Sequence, residues 1–498
     1  MKRRNKLHKF FAAALTVMAL LSLVHAGDIT VTDFAGTGEM GYKDDSALKS
    51  TFTLPYSLAM DVDGGIIVVD CYSNRIRKIK DDKVLTIAGY SDKSDYYGFP
   101  RGGFKDGAVL EAKFNNPRDA AVDSHGNIYI SDTGNHVIRK ISEGVVYTFA
   151  GSGTQGFKNG SAGEVQFNTP TGLAVDKDDN IYVADTLNNV IRKITPDGKT
   201  TTFAGLKTEQ GRLRNGNAKY AYFNEPCDIA IDADGSMFVL DSGNQVIRKI
   251  ADGIVSTYCG SIQDKYEDTG YLTGGFEDGT AEDTRFMFPK GMYLADNGVL
   301  FIADTYNNRI RAVKPDGYSI TLAGTGNVGR DNSVLLESSF NGPVSVLYND
   351  GYLYIADMFN NLIRRLPVNP YEIYVENDPL AGISFKKHTD SVQIWLDKEL
   401  LSFDASKPYI SLAGKAMLPL EKMCEYIGAE ITDIQAETIK ITKDDKSFSI
   451  KLDSENSSRA DNIVFIHSRV FASIFGFEIY WVPEYKSVVI STADMVSE

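Results

Sequence analysis

Two aspartates, Asp119 and Asp228, take the same position in two copies of a repeated stretch of this 498-residue chain. Each lies two residues after a proline and at the start of a predicted strand. Carboxylates that converge from neighbouring strands can bind a divalent cation or transfer a proton. A metal site needs further ligands, and the only histidines in the repeated region, His125 and His136, fall in predicted turns. The sequence therefore predicts no metal centre and interprets both aspartates as polar residues lining a channel.

The rest of the sequence contains no catalytic signature. We find no Gly-x-Ser-x-Gly elbow, no paired-histidine zinc motif and no phosphate-binding loop. No catalytic residue is assigned, and no cofactor is predicted. An enzyme remains the alternative, as a metal-assisted lyase or hydrolase that uses the channel around Asp119 and Asp228.

The sequence repeat in which these aspartates lie occurs six times along the chain. Each copy has a Phe, a Pro three residues later, an Asp and then an Arg seven residues after that Asp. The Asp and Arg positions are Asp70, Asp132, Asp185, Asp241, Asp304, Asp357, Arg77, Arg139, Arg192, Arg248, Arg311 and Arg364. A repeat of about forty to fifty residues with strand character predicts a β-propeller, because one small sheet cannot bury both faces without neighbouring copies.

Each copy contains four short apolar runs separated by turns rich in Asp, Asn and Gly, which predicts four strands and three hairpins. The sixth copy stops after Arg364 and Arg365, before its fourth strand. The missing run appears at residues 28–36, DITVTDFAG. The prediction is an all-β six-bladed β-propeller over residues 28–368, in which the N-terminal strand closes the last blade and removes an open sheet edge.

The recurring pattern P-x-G-[LI]-A-[VI]-D followed by D-[ST]-x-N-x-x-[IV]-R-K resembles the NHL repeat family. The resemblance covers residues 28 to about 366, and copies 1 and 6 depart most from the pattern. It implies a six-bladed propeller used mostly as a binding platform, although some relatives of this architecture are lyases.

The six Asp/Arg pairs are predicted to be structural. A residue present in every copy serves the blade, and opposite charges on two strands of one hairpin attract each other. A ring of repeated ligand sites is the alternative interpretation.

Two of the connections between copies are long and aromatic, at residues 90–103 and 262–275. Tyrosine offers a flat apolar face and a polar tip, which suits contact with a sugar or a peptide. The ligand-binding candidates are Tyr96, Tyr97, Phe99, Arg101, Tyr266 and Tyr271. The alternative is that both loops fold back on their own blades.

Residues 1–26 combine a basic start, an apolar stretch and small residues before Gly27, as in a cleaved signal peptide. Cleavage removes five basic residues and changes the net charge from −14 to −19. A chain with this large a negative net charge repels nucleic acid, which is also negatively charged. We expect a secreted or cell-surface protein without a membrane span after cleavage, in which Cys71, Cys227, Cys259 and Cys424 are buried thiols.

Residues 377–494 differ in composition and form two related halves, each with a strand, a short helix ended by Gly, and another strand. They resemble the copper amine oxidase N-terminal-like domain, a small α+β module, although Glu421 replaces the basic residue usual there. The resemblance implies no copper chemistry, since this region has only His388 and His467.

The sequence thus favours a secreted non-catalytic binding or scaffold protein. Its propeller presents a face of loops to an extracellular protein or glycan. The sequence does not indicate the ligand or the oligomeric state.

Overall fold

The computed structural model describes residues 29–96, 98–262, 271–370 and 373. It also describes residues 392–491, apart from 397–398, 404–406, 412–415, 436–437, 444–445, 453–456, 461–462, 476 and 483–486. Contacts divide the chain into two compact units, with the boundary after Pro370.

The predicted signal peptide, residues 1–26, lies outside the described residues. Among the residues that are described, none of the helices has the length and apolar character needed to cross a membrane.

The first unit is almost entirely β-structure and contains six antiparallel sheets of four main strands. We number the sheets in the order of the sequence repeats and name the strands inner, second, third and outer. Sheets 1 to 3 contain Pro55–Met60, Ile66–Asp70, Arg75–Lys80 and Lys83–Ala88; Asp119–Val122, Ile128–Asp132, Val137–Ser142 and Val145–Ala150; and Pro170–Val175, Ile181–Asp185, Val190–Ile194 and Thr200–Ala204.

Sheets 4 to 6 follow the same order. They contain Pro226–Ile231, Met237–Asp241, Val246–Ala251 and Ile254–Cys259; Gly291–Leu294, Leu300–Asp304, Arg309–Val313 and Ser319–Ala323; and Pro343–Asn349, Tyr352–Asp357, Leu362–Pro367 and Thr32–Ala35.

Sheet 6 takes its outer strand from the start of the chain. Thr32–Ala35 pairs antiparallel with Leu362–Pro367, and Asp33 lies opposite Arg364. Of the predicted run at residues 28–36, Thr32–Ala35 therefore forms the outer strand of sheet 6. Asp28 lies outside the described residues.

Short elements complete this unit. Two-residue strands lie on the outer edges of sheets 1, 2 and 4, at Asp45–Ser46, Gly107–Ala108 and Gly216–Asn217. A 3-10 turn joins the second strand to the third in every sheet, at Cys71–Ser73, Thr133–Asn135, Thr186–Asn188, Ser242–Asn244, Thr305–Asn307 and Met358–Asn360. Two more 3-10 turns lie at Ala47–Lys49 and Leu335–Glu337.

The sheets pack face to face, which explains why their second strands are apolar on both sides. Ile67 and Val69 of sheet 1 share a buried cluster with Phe114 and Ile130 of sheet 2. A similar cluster joins Leu347 of sheet 6 to residues of sheet 1. The repeated Phe of each copy is fully buried, and burial of such a ring contributes about 1.5–3 kcal/mol.

Each inner strand lies against the inner strands of the two neighbouring sheets, and the inner strand of sheet 6 lies against that of sheet 1. Pro55, at the start of one inner strand, pairs with Asp70, at the end of the second strand. The starts of the inner strands and the 3-10 turns are therefore at one end of the sheets. We call this end the loop face.

The second unit combines strands with two helices, Leu420–Tyr426 and Ser468–Phe475. Its three sheets have the strand orders Glu399–Leu400, Gln393–Leu396, Ser487–Ser491 and Glu478–Val482; Tyr409–Ile410, Ala416–Pro419, Ile463–His467 and Ser457–Ala460; and Glu430–Ile434, Thr438–Lys443 and Lys446–Lys451. One apolar core, with Leu420, Met423 and Phe471, joins these elements. Gly428 follows the first helix with a φ of 67°, as expected of a glycine that ends a helix.

All four cysteines are free and buried, as the sequence predicts. Burial raises the pKa of each of these thiols to about 12. None is therefore a reactive thiolate at neutral pH.

Candidate functional site

The six sheets contribute side by side to one pocket at the centre of the loop face. Its cavity volume is about 20 Å³, room for about one water molecule. The lining consists of the first and second residues after each repeated proline. These are Tyr56, Ser57, Arg118, Asp119, Thr171, Gly172, Cys227, Asp228, Lys290, Gly291, Val344 and Ser345. The structure thus brings both candidate aspartates, which are 109 positions apart in the sequence, to the same pocket.

Asp119 connects three sheets. Its Oδ1 accepts hydrogen bonds from the Ser57 hydroxyl and from the Ala120 amide, and its Oδ2 accepts the Leu173 amide at 2.6 Å. The Ser131 hydroxyl accepts a hydrogen bond from the Asp119 amide. Asp119 of sheet 2 therefore holds the inner strand of sheet 3 and the serine of sheet 1.

Asp228 makes the equivalent contact between sheets 4 and 5. Its Oδ1 accepts the Ile229 amide at 2.8 Å, and its Oδ2 accepts the Met292 amide at 2.7 Å. Between sheets 6 and 1 the contact recurs with a hydroxyl, because Ser345 Oγ accepts the Leu58 amide at 3.1 Å. At each of these three junctions, the even-numbered sheet provides the hydrogen-bond acceptor. The odd-numbered sheet that comes next provides the backbone amide.

The odd-numbered sheets have small residues at the position of the acceptor, and sheets 3 and 5 have Gly172 and Gly291. A Cβ at Gly172 would lie 2.5 Å from the Cα of Asp228, and one at Gly291 would lie 2.3 Å from the Val344 carbonyl oxygen. Each of these two glycines therefore allows the next inner strand to approach closely. Alternation of acceptor and small residue is a property of the packing between sheets.

Burial and proximity change the acidity of both aspartates. Burial raises the pKa of Asp119 to about 6. The pKa of Asp228 is raised well above its ordinary value by burial and, second, by the negative charge of Asp119. Two buried carboxyls that interact in this way do not both ionise readily.

The oxygens of both carboxyls accept hydrogen bonds from the backbone, so the groups are held in place rather than presented to a substrate. Among the described residues, no three His, Cys, Asp or Glu side chains are grouped as ligands of a metal ion would be. Asp119 and Asp228 each link the inner strands of neighbouring sheets.

Two cations line the same pocket. The guanidinium of Arg118 lies 5.2 Å from the centre of the Tyr56 ring, and Lys290 Nζ lies 5.8 Å from that of Phe288. Burial raises the pKa of Tyr56 to about 12, so the phenol is neutral. Across the described part of the chain, neither Arg118 nor Lys290 has a carboxylate within 4.0 Å.

The repeated Asp and Arg residues are fully buried, and each Arg donates from Nη1 to the Asp seven residues before it, at 2.7–3.3 Å. The other oxygen of each Asp accepts the amide that follows the repeated Phe, at 2.7–2.9 Å. The guanidinium lies 5.0–5.3 Å from the ring of that Phe. Burial raises the pKa of Asp70, Asp132 and Asp185 to about 6, and the arginine opposes the rise.

Sequence reasoning missed the third partner of each arginine. In five sheets Nη2 donates at 2.5–2.8 Å, and in sheet 5 the Nε of Arg311 donates at 2.8 Å, to an Asp or Asn that lies eight residues before the repeated Phe. These partners are Asp44, Asp106, Asn159, Asn215, Asp278 and Asn332. Their constant spacing is a signal that the sequence contains. The arginine therefore ties the connection between sheets to the sheet itself.

Neighbouring sheets are also joined by one bond that the sequence analysis did not predict. The residue before each repeated proline donates its amide to a side chain of the preceding sheet, at 2.5–3.1 Å. The donor–acceptor pairs are Leu54–Asn361, Asn116–Asn74, Thr169–His136, Glu225–Asn189, Phe288–Gln245 and Gly342–Asn308. Every donor residue has a positive φ between 45° and 62°, a conformation in which non-glycine residues are strained.

The predicted aromatic loop at 90–103 forms a small hairpin, in which Ser94 pairs with Pro100. Tyr96 is 95% exposed, and Phe99 packs edge-to-face on Tyr72 with ring centres 6.0 Å apart. Arg101 is exposed, and its backbone amide donates to Lys93. Tyr97 and Tyr266 lie outside the described residues.

Tyr271, from the second aromatic loop, contacts its own unit. Its hydroxyl donates to Glu225 Oε1 at 2.5 Å, and its ring packs on Phe288 at 5.7 Å. The hydrogen bond to Glu225, followed by burial, raises the pKa of Tyr271 to about 12. For this residue the structure matches the alternative in which the loop folds back.

A further set of aromatic residues lies on the loop face, two residues after the repeated Asp. Sheets 5, 6 and 1 have Tyr306, Phe359 and Tyr72 there, and these side chains are 63%, 52% and 44% exposed. At the same position sheets 2 and 4 have glycine, Gly134 and Gly243. We call the three residues Tyr72, Tyr306 and Phe359 the aromatic arc. Their irregular occurrence in a regular repeat is the sequence signal that was overlooked.

Comparison with protein families gives one match inside the first unit. Residues 86–257 match the family model of the SMP-30/gluconolactonase/LRE-like region. The match begins within the outer strand of sheet 1, covers sheets 2 and 3 and ends within the outer strand of sheet 4.

Among curated proteins, the chain is similar to NHL repeat-containing protein 2 of Bos taurus, with 30% identity over 62% of this chain and 47% of that protein. It is 28% identical to the chloroplastic protein SUPPRESSOR OF QUENCHING 1 of Arabidopsis thaliana, over 54% of this chain and 26% of that protein. The chain spans about half or less of the length of these relatives. The NHL-type repeat predicted from the sequence is thus shared with proteins of that description.

Among solved structures, the chain resembles a Bacteroides thetaiotaomicron protein of unknown function, with a TM-score of 0.50 and 19% identity over 68% of this chain and 76% of the other. An auxiliary nutrient binding protein from the same organism matches with a TM-score of 0.50 and 15% identity, over 68% and 76% of the two chains. Identities this low indicate a shared fold only.

Proposed function

We propose that this chain is an exported, non-catalytic binding protein whose first unit is a closed six-bladed propeller. The loop face of this propeller would hold an extracellular protein or glycan. The second unit, by its resemblance to the copper amine oxidase N-terminal-like domain, would be an accessory to that role.

The aromatic arc carries this proposal. Regular copies share the residues that build the sheets. Exposed rings that occupy this turn position in only three adjacent sheets are therefore not required by the repeat. Tyr306, Phe359 and Tyr72 lie in 3-10 turns at the same end of the sheets as the central pocket, and much of each side chain is exposed to solvent. Exposed aromatic side chains grouped around a concavity are typical of binding surfaces.

Two observations support the proposal. The carboxyls of Asp119 and Asp228 accept hydrogen bonds from backbone amides, which is typical of residues with a structural role. One structure with the same fold is described as an auxiliary nutrient binding protein, and a related role here is an extension by analogy of fold.

The test is a binding assay of residues 27–498 against arrays of glycans and immobilised cell-surface proteins. The variant combines Tyr72→Ala, Tyr306→Ala and Phe359→Ala. We expect at least a tenfold loss of binding with an unchanged melting temperature, because the contact area is lost and the sheets are not.

A matched control is Tyr220→Ala. Tyr220 is 62% exposed, as Tyr306 is 63% exposed. It lies away from the loop face, because the neighbouring Ala218 donates its amide to Gly253 in the turn at the opposite end of sheet 4. Equal binding by the arc variant and the control variant would refute the proposal.

A further inference from the structure

The second unit contains a groove between its first helix and a neighbouring strand. The helix is Leu420–Tyr426 and the strand is Glu430–Ile434, with Gly428 in the connection between them. The cavity volume of the groove is about 440 Å³, a size found in ligand-binding clefts. Unlike the central pocket of the loop face, this groove has room for several side chains.

The floor of the groove is apolar. Leu420 and Cys424, one helical turn apart, line it from the helix and are buried in the core of the unit. Ile431 and Ile439 line it from the sheet. Ile434, at the end of the strand, also lines the groove and is 61% exposed. A partner that covered this isoleucine would remove apolar surface from water, which favours binding.

The charged residues that line the groove are all acidic. They are Glu421 and Glu425 on the helix and Glu430 at the start of the strand, and all three are exposed. Lys422 forms an ion pair with Glu425 at 2.5 Å. No described side chain of lysine, arginine or histidine lies within 4.0 Å of the carboxyl of Glu421 or Glu430. The groove therefore complements a partner with positive side chains.

The strand beside the groove is an edge strand. Glu430–Ile434 pairs with Thr438–Lys443 on one side, and among the described strands none pairs with its other side. The free N–H and C=O groups of an edge strand can pair with an added strand, which is how β-augmentation binds extended peptides. The register shifts between Ile431 and Asp433, so the edge offered to a partner is short.

We infer that this groove binds a short extended segment of another protein, rich in apolar and basic residues. The backbone of the segment would pair with Glu430–Ile434, and its apolar side chains would cover Ile434 and the floor of the groove. Its lysine or arginine side chains would reach Glu421 and Glu430. This inference gives the second unit a binding surface of its own, beyond the proposed role of the loop face, and does not depend on that role.

Fluorescence anisotropy of residues 27–498 with labelled six-residue peptides, blocked at both ends, tests the inference. One peptide alternates valine with lysine, and the other alternates valine with glutamate. We expect the lysine peptide to bind at least tenfold more tightly, and high salt should reduce the difference because the glutamates are exposed. A lysine peptide in which every amide is N-methylated cannot pair as a strand and should bind at least tenfold more weakly.

The variant Glu421→Gln with Glu430→Gln removes both unpaired carboxylates and should reduce the affinity for the lysine peptide at least fivefold. Its matched control, Glu111→Gln with Glu143→Gln, removes two exposed carboxylates from the first unit and should leave the affinity unchanged. Melting temperatures show whether both variants fold. The comparison of the peptides uses the parent chain and decides the question even if a variant does not fold.

Three results with the peptides and variants would overturn the inference. They are equal binding of the lysine and glutamate peptides, binding that survives N-methylation, and equal affinities of the variant and its control. A dimer in sedimentation that the Glu421→Gln, Glu430→Gln variant abolishes would also overturn it, because a second copy would then occupy the groove.

The variant of the aromatic arc separates this inference from the proposed function. It should bind the lysine peptide as tightly as the parent chain does, whatever the arrays show for the loop face. Loss of peptide binding in the arc variant would place the peptide on the loop face and overturn the inference. Failure of the arrays to distinguish the arc variant from its own control would refute the proposed function alone.

Discussion

The amide of Leu54 donates a hydrogen bond to Asn361 Oδ1 at 3.0 Å, although 307 residues separate the two in the sequence. The same bond joins every other pair of consecutive sheets, as between Glu225 and Asn189 at 2.8 Å. The junction between sheets 6 and 1 is therefore built like the five junctions between consecutive copies. This equivalence supports the proposed ring.

The first prediction concerns closure of that ring. Asn361→Gly removes the acceptor of the junction between sheets 6 and 1, and glycine tolerates the φ of 53° found there. We expect the free energy of unfolding to fall by about 0.5–1.5 kcal/mol, the net contribution of one hydrogen bond, as measured by chemical denaturation. Asn189→Gly, at the junction between sheets 3 and 4, is the matched control and should have the same effect. If the free energy of unfolding falls in Asn189→Gly but not in Asn361→Gly, the packing of sheets 6 and 1 does not depend on this hydrogen bond.

The second prediction concerns the buried ion pairs. Arg192→Leu leaves Asp185 buried without its counter-charge, and loss of one partner of a buried pair costs about 3–5 kcal/mol. Chemical denaturation should show a loss of this size. In the exposed pair Lys105–Glu111, whose side chains are 51% and 69% exposed, Lys105→Ala should change stability by no more than about 0.5 kcal/mol. Similar effects of the two substitutions would contradict a structural role for the repeated arginine.

A third prediction follows from the one ionisable acceptor among the junctions. His136 Nδ1 accepts the Thr169 amide at 3.1 Å, so this nitrogen must be unprotonated. Burial lowers the pKa of His136 below 6.5. The unfolded chain then takes up a proton at higher pH than the folded one, so this contribution to stability is present above pH 6.5 and is lost as the pH falls toward the folded pKa.

The comparison is with His136→Asn, which places at this junction the residue that four other junctions use. Melting temperatures measured from pH 8 to pH 5 should fall more steeply for the parent chain than for the variant. The difference at pH 5 should correspond to about 1 kcal/mol, the value of the hydrogen bond. Parallel profiles would show that protonation of His136 does not weaken the junction.

A fourth prediction concerns the close approach of sheets 3 and 4. In Gly172→Ala the new Cβ would meet Asp228 Cα and the Cys227 carbonyl oxygen at 2.5 Å, so the two inner strands must separate. We expect a loss of about 1–3 kcal/mol, with a lower melting temperature. Gly163→Ala serves as the control, since that Cβ meets nothing within 4 Å and φ is not positive. Alanine there should be neutral or slightly stabilising.

Much of the fold follows from patterns that lie within one copy. The apolar run around Ile67 and Val69, and the run at residues 28–36 that contains the last outer strand, could be predicted because hydrophobic spacing is local. Contacts between copies were not readable in this way. Asp119 could be recognised as exceptional from the sequence, but its bond to the Leu173 amide depends on how two sheets pack. The same holds for His136, whose side chain looked like part of a turn.

The aromatic loops show the same limit, because residue type alone does not predict which side chains remain accessible. Tyr271 has a residue type suited to ligands, yet Glu225, which lies 46 residues earlier, accepts its hydroxyl hydrogen. Tyr306 lies in a turn that every copy contains; the sequence shows that an aromatic residue there is irregular, but its 63% exposure is known only from the folded chain. Residue type predicts what a side chain can do, while the packing of the sheets determines what remains accessible.

The inner strands differ in kind from one sheet to the next, because a sheet with an acceptor such as Asp228 is always followed by one with a small residue such as Gly291. In the proposed closed ring, gain or loss of a single copy would place two like partners together, either two acceptors in contact or two amides facing no acceptor. Only insertion or removal of copies in twos would preserve the match. The smallest exchangeable module of this protein is therefore a pair of sheets, about a hundred residues long.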